Sequence, residues 1–239
     1  MIAMRLRHRV GRIAQQLHAL RRDAGGVAMV EFAMCLPFVV TITMAGTELA
    51  NYTTTKMRIS QLALMVADNA SRIGSGTMNA KTISETQING LLTGAGLQSG
   101  RLDLFQNGRV ILASLQPSST PDKFVVKWQR CRGVKAVTSS YYTATNTTNP
   151  ALPASSDMDG ITANGQRITS PSNGAVMFVE IDYTYQPLIS LDFLPGINPT
   201  IKDVAALTVR DNRDYAGGTS GIYNAENASR SLCTQYSAT

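Results

Sequence analysis

The residues with the most pointed chemistry are a glycine pair and a carboxylate near the N-terminus, in Gly25-Gly26-Val27-Ala28-Met29-Val30-Glu31-Phe32. Glu31 is the one charged side chain among the 21 residues from Val27 to Thr47, which are otherwise largely apolar. A carboxylate inside such a segment is expensive in lipid, so it is a functional hypothesis by default. Two readings are open. In the first, Glu31 snorkels or takes up a proton near the membrane edge. In the second, it pairs with an ammonium. A cut after Gly26 would create that ammonium on Val27, and the two charges would partly offset each other's burial cost. Gly25 and Gly26 are either a flexible linker or a cleavage site at which a peptidase can approach the bare backbone closely.

Other groups carry weaker signals. The three cysteines are Cys35, Cys131 and Cys233. Cys35 falls in the apolar run and reads as a small packing residue. Cys131 and Cys233 would both lie outside the cytoplasm if the run spans a membrane, where disulfides persist. A bridge between them is expected, because the polar tail has little else to fix it; the alternative is two unpaired, buried thiols. No paired Cys-x-x-Cys or His-x-x-x-His spacing advertises a metal, and no cofactor is implied. The pattern Gly94-x-Gly96-x-x-x-Gly100 has the wrong final spacing for a nucleotide loop and reads as a turn. Asp157-Met158-Asp159-Gly160 is a fragment of a calcium loop without its remaining ligands and reads as a solvated turn. Lys127, Arg130, Arg132 and Lys135 around Trp128 form a small basic cluster, either a partner surface or, by default, a solvated strand end. Both histidines, His8 and His18, precede Gly26, so a chain cut there has lost the commonest general base. An enzyme is therefore not expected.

The net charge of +6 belongs mostly to the first 26 residues, where six arginines face one aspartate. The remaining 213 residues hold 16 basic and 15 acidic side chains. A nucleic-acid binder would keep its basic patch on the folded domain, so no nucleic-acid partner is expected. The arginines read instead as a topology signal holding the N-terminus in the cytoplasm.

These residues need elements to position them. Residues 1–26 form a basic leader, either solvated or an amphipathic helix with Leu6, Val10, Ile13, Leu17 and Leu20 on one face. Residues 27–47 are long enough for a transmembrane helix, which Pro37 should kink or loosen. In the soluble extension, 48–76, Ile59, Leu62, Ala63, Val66, Ala70 and Ile73 recur at helical spacing, and Gly74-Ser75-Gly76 ends the helix. The domain from 77 to 239 opens with a short helix near Glu85–Leu92, N-capped by Ser84. Strands are expected at Leu102–Phe105 and Arg109–Leu115, joined as a hairpin through Asn107-Gly108. Further strands are expected at Phe124–Trp128, Val176–Tyr185 and Val204–Val209. Met177, Val179, Ile181, Tyr183 and Tyr185 share one face. The stretch 138–174 lacks periodicity and reads as a flexible loop. The fold class is α+β: a long N-terminal transmembrane helix extending into a domain outside the cytoplasm with an antiparallel sheet.

With these residues in view, the chain resembles the TadE/TadG-like pseudopilins of the tight-adherence branch of the type IV pilus systems. The resemblance rests on Gly26 through Pro37, on Glu48 after the apolar run, on Ala67-Asp68-Asn69-Ala70-Ser71-Arg72, and on Val179 through Leu188. The modest length favours TadE over TadG. The resemblance implies cleavage by a prepilin peptidase at Gly25-Gly26-Val27, and a role for Glu31 and Phe32 in assembly. It implies a single-pass inner-membrane protein with a periplasmic C-terminal domain, and other pilins, pseudopilins and the pilus assembly machinery as partners. The expected function is that of a minor pseudopilin acting by helix docking rather than catalysis. The alternatives are an uncleaved, membrane-anchored binding protein of the envelope and an anchored periplasmic hydrolase.

Overall fold

The computed structural model describes residues 25–76, 81–144, 155–190 and 196–238. The basic leader up to residue 24 lies outside them. Helix α1 runs unbroken over 48 residues, Gly25–Arg72, with Pro37 inside it. At 1.5 Å per residue it is about 72 Å long. Strand β1 (Ile83–Ser84) leads into α2 (Glu85–Ser99). A single 3-10 turn (Gly100–Leu102) and the one-turn α3 (Leu104–Asn107) follow. The strands are then β2 (Gly108–Pro117), β3 (Phe124–Arg132), β4 (Ile161–Ala163), β5 (Gln166–Ile168), β6 (Val176–Thr184), β7 (Thr200–Thr208) and β8 (Ile222–Tyr223).

The main sheet is antiparallel, with order β3-β2-β6-β7. Its central strands β2 and β6 are buried almost throughout, because both faces of the sheet are covered. On one face, Met177, Val179, Ile181, Tyr183 and Tyr185 meet Ile59, Leu62, Ala63, Val66, Ala67 and Ala70 of α1. These helical residues recur at three and four, which puts them on one stripe. On the other face, Ala113, Leu115, Val126, Val176 and Phe178 meet Tyr142, Ile161 and Ala163. A bulge between Ser114 and Leu115 makes the two cores compatible: Trp128 pairs with Ser114 and Val126 with Leu115, leaving Lys127 extra. The inserted residue lets Val126 face the second core while Trp128 faces the first.

Helix α2 starts as the sequence predicts. Ser84 accepts from the Gln87 amide and Gln87 reaches back to the Ser84 amide, a complete capping box. The helix runs past the expected end, through Gly94 and Gly96, so the glycine turn is corrected: Gly100, at φ 52, is where the chain turns out. Gly96 has a packing reason instead, since a Cβ there would come within 2.6 Å of the Phe105 ring.

Two strand expectations also change. Leu102–Phe105 is not a strand, and Asn107-Gly108 is not a hairpin turn. Leu102 and Leu104 are buried in a 3-10 turn and a one-turn helix, and Gly108 opens β2. The hairpin of this kind lies elsewhere. Asn164 (φ 51) and Gly165 (φ 74) join β4 to β5, the left-handed pair that a tight two-residue hairpin demands. Residues 138–144 and 155–174, read from sequence as loop, thus include a hairpin that packs Ile161 and Ala163 on the sheet.

Candidate functional site

Along α1 the surroundings change sharply at one residue. From Gly26 to Thr47 the side chains are exposed, apart from a half-buried Ala45; Met29 is 77% and Phe32 67% accessible. The helix is long and apolar enough here to cross a membrane. Its threonine hydroxyls do not demand water: Thr41, Thr43 and Thr47 donate to the carbonyls of Pro37, Val39 and Thr43 at 2.7, 2.7 and 2.8 Å. Gly25, Gly26, Val27, Glu31 and Phe32 share the first two turns. Glu31 is exposed and makes no hydrogen bond or ion pair among the described residues. Gly26 is not required by the fold, since an added Cβ would meet nothing within 4 Å.

Glu48, next along the helix, is fully buried. Its carboxylate accepts from three donors: the Tyr185 hydroxyl at 2.5 Å and the Leu188 and Ile189 amides at 3.0 Å each. Asn51, one turn up, donates to the Tyr185 hydroxyl at 2.7 Å. Tyr52 meets the same ring edge-on, with centroids 5.1 Å apart. Burial first, and then the Glu48 hydrogen bond, push the Tyr185 phenol up to about 12. Glu48 therefore fastens the chain leaving β6 onto the helix where its exposed part ends. The sequence marks Glu48 and the segment through Leu188 separately, as points of family resemblance. It does not say that they touch, because no periodicity relates residues so far apart.

At the far side of the sheet, Cys131 of β3 is joined to Cys233, 102 residues on, with Cα atoms 4.7 Å apart. The tail has more fixings than the sequence suggests. The Cys131 and Gly133 amides donate to the carbonyls of Ser231 and Ser237 at 2.9 and 2.7 Å. Buried Arg109 donates to the carbonyls of Cys233 and Gln235 at 2.7 and 3.1 Å, and its guanidinium lies 4.2 Å from the Tyr236 ring centre. Asn89 of α2 donates to the Ser229 carbonyl at 2.6 Å. Cys35 is exposed on α1 and unpaired.

The basic cluster is not a solvated strand end. Arg130 is fully buried and forms a two-pronged ion pair with Glu85 at the start of α2, with Arg230 3.4 Å from the same carboxylate. An anion in the first turn of a helix is well placed, so the pair ties α2 to β3. Lys135 reaches buried Asp182 at 2.5 Å, and Lys202 reaches it at 3.1 Å. The Asp157 and Asp159 turn is held by Ser118, Thr120 and Lys123. Among the described residues no group of histidine, cysteine or acidic side chains is placed to hold a metal ion.

Three groups of residues emerge: the exposed start of α1, the Glu48 fastening, and the tethered tail. The fold and the first two define a class, an α+β domain carried on one apolar N-terminal helix of membrane-spanning length. Residues 26–68 match the family model described as TadE-like protein. The match is consistent with a TadE/TadG-like pilus assembly protein and takes in most of α1 from Gly26, Glu31 and Glu48 included. No curated protein and no solved structure matches the chain.

Proposed function

We propose that this chain is a TadE-like minor pseudopilin of a tight-adherence pilus system, cut after Gly26 by a prepilin peptidase and active through docking of its helix. The observation that carries the reading is the N-terminal half of α1: a matched, exposed, apolar helix whose lone carboxylate has no partner among the described residues. A glycine at Gly26 that packing does not require fits a position kept for a peptidase. After the cut, the ammonium on Val27 and the carboxylate of Glu31 stand four residues apart, about one turn, on one helical face. Either can serve the other, or the same groups of a neighbouring pseudopilin. The leader arginines support an N-terminus in the cytoplasm, which puts the sheet domain in the periplasm, where the Cys131–Cys233 bridge is stable. The partners on this reading are other pilins and pseudopilins, the assembly machinery, the prepilin peptidase and the inner membrane.

Co-expression with a cognate prepilin peptidase tests it. The purified chain should begin at Val27, and Gly26→Val should leave it at full length without loss of folding. Only full-length wild-type chain beside an active peptidase overturns the processing reading and favours an uncleaved anchor.

A further inference from the structure

We propose that the loop leaving β6 makes a second contact with the lipid surface, and that Glu48 holds it at the boundary between hydrocarbon and headgroups. This rests on reading the first half of α1 as membrane-spanning. The 21 residues from Val27 to Thr47 rise about 31 Å as a helix, close to the ~30 Å of a bilayer's hydrocarbon core. Glu48 therefore sits where the core ends. Side chains on a helix tilt toward its N-terminus, so the Glu48 carboxylate reaches back toward the lipid. The Leu188 and Ile189 amides lie 3.0 Å from that carboxylate, and the loop must share its depth. Pro187 is exposed there, Leu188 is 67% exposed, and Leu49 of α1 is 58% exposed one residue beyond Glu48. No charge lies between Gln186 and Ser190.

The hydrogen bonding fits the same place. A carboxylate near lipid is expensive unless it is satisfied, and irregular backbone at membrane depth needs its amides bonded. Glu48 and the loop meet both demands at once, without a cation: two amides and one phenol serve the carboxylate, and the carboxylate serves them. The exposed leucines then continue the apolar surface of the helix below them, and their partner is the acyl–headgroup boundary.

The test uses the full chain with Cys35→Ser and the Cys131–Cys233 bridge intact, in vesicles of phosphatidylethanolamine and phosphatidylglycerol. An environment-sensitive fluorophore is placed in turn through Leu188→Cys, Val40→Cys and Leu97→Cys. Leu97, 79% exposed on α2, is the water control. Lipids carry a quencher either near the top of the acyl chain or near the bilayer centre. The Leu188 probe should shift to the blue and lose more intensity to the shallow quencher than to the deep one. The Val40 probe should show the reverse preference, and the Leu97 probe should respond to neither. In the Glu48→Ala background the Leu188 probe should lose its shallow quenching. A Leu188 probe that behaves like Leu97 while Val40 is quenched overturns the loop contact and leaves the span standing. Deep quenching at Leu188 equal to that at Val40 also overturns it, by placing the loop inside the core. Unchanged quenching with Glu48→Ala overturns the role of Glu48. An unquenched Val40 probe removes the membrane reading itself.

Discussion

Glu48→Ala is expected to be among the most damaging single substitutions in the first half of the chain. The wild-type carboxylate accepts three hydrogen bonds with no accessible surface. Hydrogen bonds to a charged partner contribute about 1.5–3 kcal/mol each, and a buried donor left without an acceptor costs about 1–3 kcal/mol. Those figures are not additive, because the loop can relax and its amides can find water. Asn51 also still donates to Tyr185. A net loss of about 3–5 kcal/mol is expected, less than the sum of the three bonds to the charged acceptor taken singly. Glu48→Gln keeps the shape and one acceptor oxygen, but turns an amide NH2 toward a donor, and should cost about 1–2 kcal/mol. Tyr185→Phe should fall near the same figure. The assay is denaturant unfolding of the full chain in detergent, followed by the fluorescence of Trp128. This is the one tryptophan in the sequence, buried in the core that α1 closes. The order Ala, then Gln and Phe, matters as much as the size. A Glu48→Ala loss within the ~0.5 kcal/mol typical of a surface substitution would refute the claim that this carboxylate fastens helix to sheet.

Four further outcomes follow from the same geometry. Reducing the Cys131–Cys233 bridge, or Cys233→Ser, opens a closure 102 residues apart and should cost about 4–5 kcal/mol in the chain-entropy model, measured as a drop in the denaturation midpoint. Because the tail keeps its other bonds, limited proteolysis should then cut near Ser229 to Gln235 only slowly. Glu85→Gln takes the charged carboxylate away from buried Arg130 and should cost about 3–5 kcal/mol, whereas Glu85→Leu combined with Arg130→Met should be near neutral; a double-mutant cycle reads the difference. The Tyr185 phenol ionises near 10 unfolded and about 12 folded, so the folded state holds its proton longer. Its contribution is fully present below pH 10 and is lost as pH rises toward 12, and Tyr185→Phe should flatten that part of a stability-against-pH curve. Glu31→Ala should insert in the membrane as well as wild type, because it removes a costly charge, but should fail to co-purify with partner pilins or to support surface pili. Normal pili at equal protein level would make the glutamate incidental.

What could be read in the sequence was local, and what could not was long-range. The stripe Ile59, Leu62, Ala63, Val66 and Ala70 is a helical repeat, and it is the buried face of α1. The alternation Met177, Val179, Ile181, Tyr183 is a strand repeat, and it is the face that meets the helix. Ser84 with Gln87 is a cap written in four residues. The Asn-Gly signal misled because a dipeptide does not say which side of it is a strand. Leu102 and Leu104 alternate as a strand would, yet at so short a length burial in two helical turns satisfies the same spacing. At Asn164-Gly165 the flanking strands are only three residues each and too polar for their alternation to stand out. The Arg130–Glu85 and Arg109–tail contacts were hidden for another reason. A buried arginine and a solvated one look alike until the partner 45 or 124 residues away is placed beside it.

The two glutamates of α1, Glu31 and Glu48, obey opposite logic, and the contrast bears on function. Glu48 is buried, holds three donors and presents no surface to an outside partner. Its work is internal: it fixes the height at which the sheet domain rides on the helix. Glu31 is 17 residues earlier, about 25 Å along the axis, and has no donor among the described residues. Removing Glu48 should therefore be felt as lost stability, whether or not a pilus is present. Removing Glu31 should leave the unfolding curve unchanged and be felt only when the chain meets other subunits. A folding loss with Glu31→Ala, or an assembly defect with Glu48→Ala in a chain whose stability is intact, would exchange these roles. It would show that the helix carries its docking determinant at the domain end, not at the N-terminal end.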